Sequence, residues 1–223
     1  MASAYSTKGT KVCVLKGSET ATLLTPTAIT AAIPAVVTVA SVTGLKAGDI
    51  VSIAPGGTGF ADIDGKSWII GDINTTNKTF KLLGSNTNVL GGTLIATPVI
   101  SHYPNDTSML CICASSITFN PETAANVSVA TFCDPTAQIP SQVVGAGTIE
   151  MAGYVDITDA AYKELLTAQS DGVARKWRVT LGNSQGYIVF DGVVAGVSHE
   201  LPLDGAAAYS VTVNLSAAYR HLF

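Results

Sequence analysis

The sequence predicts a mainly β protein: antiparallel sheets, arranged as a sandwich or half-barrel, with one packed α-helix and an inserted small all-β module. Three observations lead there. Apolar and polar residues alternate in one short run after another, as half-buried strands require. Glycine (21 residues) and proline (9 residues) fall between those runs, where the chain must turn. Only the stretch at 157–172 carries a convincing helical period.

The elements follow in order. KVCVLKG, at 11–17, alternates as a strand does. The apolar stretch 28–42 (AITAAIPAVVTVASV) contains Pro34 and many β-branched residues and is too short to span a bilayer, so it reads as strand. From about 34 to 98 come VVTVASVTGL, AGDIVSIA, KSWIIGDI, TFKLLG and TLIATPVI, with NTTNK at 74–78 as a hairpin loop. Pro104 and Asn105 mark a break. Beyond it lie MLCICASSITF, NVSVATFC, a Pro-, Gly- and Ala-rich loop at 134–147, and TIEMAGYVDI. In the helix, Thr158 is placed to cap, Asp159 complements the dipole, Ala161, Leu165 and Ala168 share a face, and Gly172 stops it. KWRVTL, YIVFDGVVAGVS and AAYSVTVNLSAAYR close the chain as strands. In the first of these Trp177, Val179 and Leu181 face the core, while Lys176, Arg178 and Thr180 face the other way. The composition breaks place one β domain at 1–33 and 104–223 and the inserted module at 34–103.

Charge is sparse. Of 223 residues 47% are hydrophobic and 13% charged, where a soluble domain has about 25% charged. Such a chain is not disordered. Its net charge of −4, with 12 Lys and Arg scattered along it, argues against a nucleic-acid groove or an anionic membrane surface. The N-terminus lacks the apolar core of a secretory signal, so the chain is expected to stay in the cytoplasm where it is made, and its four cysteines are expected as buried thiols. A surface so poor in charge is best explained if copies of the same chain cover it.

The apparent catalytic motifs have simpler readings. Gly182-Asn183-Ser184-Gln185-Gly186 matches G-x-S-x-G, but a strand follows where a nucleophile elbow needs a helix, so it is hairpin-loop chemistry. Gly59 and Gly65-Lys66-Ser67 miss phosphate-loop spacing by one residue and also lead into a strand. Asp62, Asp64 and Asp72 lack the closing glutamate of a calcium loop. Cys111 and Cys113 share a strand face, but Cys13, Cys133 and His102 do not supply zinc-ligand spacing. His102, His199 and His221 have no nucleophile beside them. The expectation is a protein that is not an enzyme and takes no cofactor or metal.

The order VSVATFCD, GTIEMAGYVDITDAAYKELLTAQ and KWRVTLGNSQGYIVFDGVVAGVSHELPLDGAAAYSVTVNLS resembles the tail tube proteins of long-tailed bacteriophages. The stretch running from VTGLKAGDIVSI to KSWIIGDINTTNKTFKLLGSNT resembles a small β module found in phage tail proteins. The resemblance implies six-membered rings, with subunit sheets joined edge to edge into one barrel, stacked as the conduit for DNA ejection. It implies a helix on the outside, a module projecting outward and a long loop reaching the next ring. That reach is assigned to 134–147, with Asp134, Gln138, Ile139, Gln142 and Val143 as candidate stacking residues. The implied partners are further copies of the chain and other phage tail proteins; DNA would pass without specific binding, no membrane is involved, and the location is the virion tail. Barrel closure answers the problem of unpaired edges. A neutral to acidic lumen follows from the need not to hold DNA. Two alternatives remain: a single-ring tail terminator or head-tail adaptor, and a carbohydrate-binding β-sandwich adhesin using Trp68.

Overall fold

The computed structural model describes residues 9–56, 58–88, 98–121, 126–128, 138–140, 147–182, 186–217 and 219–222. Along the chain the elements are β1 (Lys11–Leu15), β2 (Thr22–Leu24), β3 (Pro26–Ile29), β4 (Val36–Val39), β5 (Ile50–Ile53), β6 (Ser67–Asn74), β7 (Thr79–Leu82) and β8 (Ile100–Tyr103). A short helix α1 (Asn105–Ser108) leads to β9 (Met109–Ile112), β10 (Ala114–Asn120), β11 (Asn126–Ser128), β12 (Gln138–Pro140) and β13 (Thr148–Tyr154). Helix α2 (Ala160–Asp171) precedes β14 (Arg175–Thr180), β15 (Tyr187–Glu200), β16 (Ala208–Leu215) and β17 (Arg220–Leu222). The fold is mainly β, with two large antiparallel sheets, a two-stranded ladder of β11 and β12, and few helices among the described residues.

The first sheet runs β10-β13-β16-β15-β14-β1-β9, with β17 also pairing β15. It folds over on itself because β15, 14 residues long, serves two layers. Its first half pairs β14 from Tyr187 to Gly192, and its second half pairs β16 from Gly192 to Glu200, with a bulge between Val194 and Gly196. Bulges bend strands and sharpen their twist. At the opposite corner β9 and β10 are separated by Cys113 alone, so the chain passes directly from one layer into the other. The layers share one core: Val12, Val14, Trp177, Val179, Ile188 and Phe190 meet Ile149, Met151, Val211 and Val213. Trp177 stacks on Phe190 at 5.7 Å, and Phe119 of β10 meets Phe190 edge-on at 6.3 Å. Replacing a fully buried aromatic such as Trp177 by alanine costs about 3–5 kcal/mol.

Helix α2 closes one side of this core with Ala161, Tyr162, Leu165 and Ala168. Its cap differs from the sequence reading. Asp159, not Thr158, is the N-cap, accepting from the Ala161 amide at 2.9 Å, while Thr158 hydrogen-bonds Asp156. Both residue types cap well, and the residue whose backbone is extended just before the first turn takes the role. Gly172 terminates the helix in the left-handed region (φ 64°), as expected. Burial under the helix pushes the Tyr209 phenol up to about 12.

The second sheet runs β2-β8-β5-β6-β7-β4-β3. It takes in β2 and β3, so the module boundary expected at residue 33 lies inside it, between β3 and β4. This sheet covers the outer face of the layer containing β1, β9, β14 and the first half of β15. Cys13, Leu15, Met109, Val189 and Leu222 join Ile50, Val51, Ile69 and Phe80 in one apolar cluster. The face of β14 expected to be solvated is therefore covered: Arg178 is buried and donates to the Gly48 carbonyl at 2.6 Å. Lys176 Nζ donates to Ser67 Oγ at 2.9 Å, Ser52 Oγ at 3.2 Å and Asp191 Oδ1 at 3.3 Å. Arg220 lies over the Trp68 ring at 4.4 Å. Alternation on a single strand shows that it has two unlike faces, not that the polar one meets water. Beside this contact Asp49 and His102 form a buried pair at 2.8 Å. Burial opposes the charge of Asp49, but hydrogen bonds from His102 and from the amides of Asn105 and Lys46 outweigh it and hold the carboxyl below its ordinary value.

The cysteine expectation is overturned. Cys13 and Cys111 form a disulfide, and Cys113 is exposed. The register of β1 on β9 places Cys13 directly opposite Cys111, and 98 positions of sequence separate the two, so no local pattern announces the pairing. Closing so long a loop restricts the unfolded chain by about 4–5 kcal/mol at most. Cys13→Ala should lower unfolding stability by about 2–4 kcal/mol in denaturant titration, and a reductant should reproduce the loss in the unmodified protein. A folded-state pKa depressed below the unfolded one supplies stability that is present at neutral pH and lost as pH falls through the folded value. Thermal stability should therefore drop as pH is lowered below about 4. Asp49→Asn should be less stable at neutral pH and show a shallower acid loss by calorimetry, the remainder belonging to Asp156 and Asp171, whose carboxyls are also lowered.

Candidate assembly surface

The layer formed by β10, β13, β16 and the second half of β15 is the part of the first sheet that the second sheet leaves uncovered. Among the described residues it ends in an unpaired edge on each side. On one side is β10, whose sole ladder partner among the described residues is β13. On the other side is residues 193–200 of β15. Those residues pair β16, but β14 stops at Gly192, so their far edge has no ladder partner among the described residues. Exposed rows of N–H and C=O groups are templates for another strand.

Gly192 makes this arrangement possible. It is the residue of β15 opposite both Arg175 of β14 and Leu215 of β16. A Cβ there would stand 2.7 Å from the Asn214 carbonyl oxygen and 2.7 Å from Val213 Cγ1. In the sequence the string FDGVVAGV carries this signal only as two glycines in a strand, which point to a bulge or a close backbone approach without saying which edge they free.

The inner face of the layer carries Ile149, Met151, Tyr209, Val211 and Val213. The ladder register aligns the residues of the other face: Thr118 with Glu150, Glu150 with Thr212, Ser198 with Ser210, and Glu200 with Ala208. Ser198 and Ser210 hydrogen-bond each other at 2.7 Å. None of the four strand segments contains Lys or Arg. The open face is thus hydroxyl-rich, with carboxylates and no cation. At the start of β10 a cavity of about 310 Å³ opens, lined by Thr10, Val12, Ile112, Ala114, Ser115, Ser116 and Ile117.

Of the candidate stacking residues, Gln138 and Ile139 fall in β12, where they pair with Ser128 and Val127 of β11. Asp134, Gln142 and Val143 lie outside the described residues. The chemical lookalikes occupy structural positions. Leu181 N–H donates to the Gly186 carbonyl across the β14–β15 turn, so the G-x-S-x-G string spans a strand-to-strand connection; Ser184 itself lies outside the described residues. Ser67 starts β6, not a helix. Asp62 meets Lys66 at 3.6 Å, Asp64 accepts from Thr58, and Asp72 pairs with Lys81 at 2.8 Å. His199 bonds Tyr162 at 2.6 Å. Among the described residues no three His, Cys, Asp or Glu side chains cluster as a metal site. Trp68, the residue on which a sugar platform would rest, is 2% exposed and donates to the Ile63 carbonyl. The string WIIGDI does not reveal that Arg220 of β17 lies over the ring. No helix is long and apolar enough to cross a membrane among the described residues.

No protein-family model matches the chain, and no curated protein matches it. Among solved structures it is similar to the tail of an empty gene transfer agent particle with C6 symmetry, at 18% identity and TM-score 0.34, over 48% of this chain and 79% of that one. It is similar to the virion of a native gene transfer agent particle, at 18% identity and TM-score 0.34, over 48% and 82%. It is also similar to the SPP1 tail tube, at 13% identity and TM-score 0.37, over 50% and 67%.

Gly192→Ala should destabilise the protein by about 1–3 kcal/mol, because a backbone oxygen of the neighbouring strand cannot yield as a side chain would. Denaturant titration beside Gly196→Ala, a site with no atom within 4 Å of an added Cβ, isolates the effect of crowding.

Proposed function

We propose that the chain is the repeating structural subunit of a phage-type tail tube: six copies form a ring through their four-strand layers, and rings stack into a conduit for DNA ejection. The observation that carries this reading is the pair of free edges, β10 and residues 193–200 of β15, on opposite sides of one layer. The layer's strands alternate in direction and are even in number, so identical copies placed side by side meet through an antiparallel joint at every boundary. Six copies supply about 24 strands at about 4.8 Å spacing, a barrel about 37 Å across before strand tilt widens it. Barrels of eight strands are filled by their own side chains, whereas larger ones hold an open channel.

In this arrangement helix α2 and the second sheet stand outside, and the face bearing Thr118, Glu150, Ser198, Glu200, Ser210 and Thr212 lines the bore. Cations on that face would exchange with the counterions of DNA and hold it; hydroxyls and carboxylates do not. We divide the chain accordingly into a tube unit and an accessory unit on its outer surface, built on the inserted 34–103 segment together with β2 and β3. The 134–147 segment, with Asp134, Gln138, Ile139, Gln142 and Val143, reaches the adjacent ring, and the remaining partners are other tail proteins. The protein is made in the host cytoplasm and works in the virion, without catalysis.

A tail terminator or head-tail adaptor would use the same two edges but stop at one ring. Negative-stain microscopy of the concentrated protein separates the readings: hollow filaments are expected, lone rings would favour the terminator, and monomers at every concentration would exclude both. Glu150→Lys combined with Glu200→Lys should leave filament formation intact while making the filaments retain DNA at low salt, as read by co-sedimentation, with release as salt is raised.

A further inference from the structure

The end of the layer where β10 begins carries an open cavity and an exposed apolar loop. Ala114 of β10 lies opposite Gly153, Tyr154 of β13 opposite Ala208, and Glu200 of β15 also opposite Ala208, so the start of β10 and the finish of β15 share one end of the layer. At the β10 side the cavity of about 310 Å³ presents Val12, Ile112, Ala114 and Ile117, rimmed by Thr10, Ser115 and Ser116. At the β15 side, directly after Glu200, the loop to β16 holds Leu201 and Leu203 at 75% and 100% exposure. Two leucines so fully in water on one short loop are a poor choice for a surface that stays free.

We propose that Leu201 and Leu203 of one copy seat in the cavity lined by Val12, Ile112, Ala114 and Ile117 of the next copy around the ring. The inference rests on the edge-to-edge reading above and adds the contact that sets its register. An antiparallel joint between β10 of one copy and β15 of its neighbour brings Ala114 towards Glu200 and Asn120 towards residue 193. The leucine loop of the neighbour thereby arrives at the cavity mouth and not at the far end. Backbone pairing alone tolerates slippage along an edge; an apolar knob in an apolar hole admits one position. Knob and hole are different surfaces of the same chain, so the contact is heterologous and propagates until the ring closes. The hydroxyls at the rim can meet the loop backbone without burying a charge, and the loop's one carboxylate, Asp204, follows the second leucine.

The test uses the full chain. Leu201→Asp with Leu203→Asp alters an exposed loop and leaves the cavity intact; Ser116→Trp blocks the cavity rim and leaves the loop intact. Where the wild type assembles, each variant alone should remain monomeric by size exclusion with light scattering, with an unchanged circular dichroism spectrum. Mixed in equal amounts they should give a heterodimer and nothing larger, since one good knob meets one good hole. Leu201→Met with Leu203→Met should restore assembly. Normal assembly of the Asp variant, or a mixture that stays monomeric, overturns the contact while the tube reading stands. A wild type that never assembles overturns the tube reading and the contact with it.

Discussion

The close approach of β15 and β16 at Gly192 is the constraint from which the rest of the molecule follows. With no side chain at that point, one long strand leaves the β14 layer and enters the β16 layer without a loop, and the bulge before Gly196 completes the bend. Three features follow from that geometry. The two layers can face each other across a single aromatic-rich core. Residues 193–200 have no ladder partner on one side among the described residues. The layer they belong to becomes an open four-strand unit, uncovered by the second sheet.

The two outer surfaces of the first sheet have opposite chemistry. The surface bearing Lys176, Arg178 and Arg220 is covered, and its cations are spent on carbonyls, serines, Asp191 and the ring of Trp68. The uncovered surface has hydroxyls and two carboxylates. Basic residues are thus drawn to the junction between sheets, where burial makes each hydrogen bond count for more, and are absent from the four strands of the open layer. A chain with so few charges places nearly every cation where it does not face the open layer.

Much of this was legible from residue order. Strand runs such as KWRVTL and AAYSVTVNLS announced themselves by alternation, and the helix by Leu165, Ala168 and the stop at Gly172, because those signals are local. The larger surprises depend on pairing across long sequence distances. The Cys13–Cys111 bond needs the β1–β9 register; the burial of Trp68 and Arg178 needs the second sheet to lie on the first; and the free edge beyond Gly192 needs β14 to end where it does. The choice of Asp159 over Thr158 as cap turned on a single residue of backbone conformation, finer than composition resolves. The β10 cavity left no trace in sequence, since its lining comes from β1, β9 and β10, and only their convergence creates it.

The bridge between Cys13 and Cys111 has a mechanical meaning. An outermost strand under tension detaches like a zipper, losing one rung at a time from its loose margin, so its resistance is that of a single rung however long it is. A covalent tie in the middle of β9 ends that sequence: peeling halts at the sulfur pair, and further separation from β1 requires breaking a chemical bond. The strand that leads directly into β10 is therefore anchored against sideways pull, and load applied at that margin passes through β1 into the stacked rings of Trp177 and Phe190 behind it.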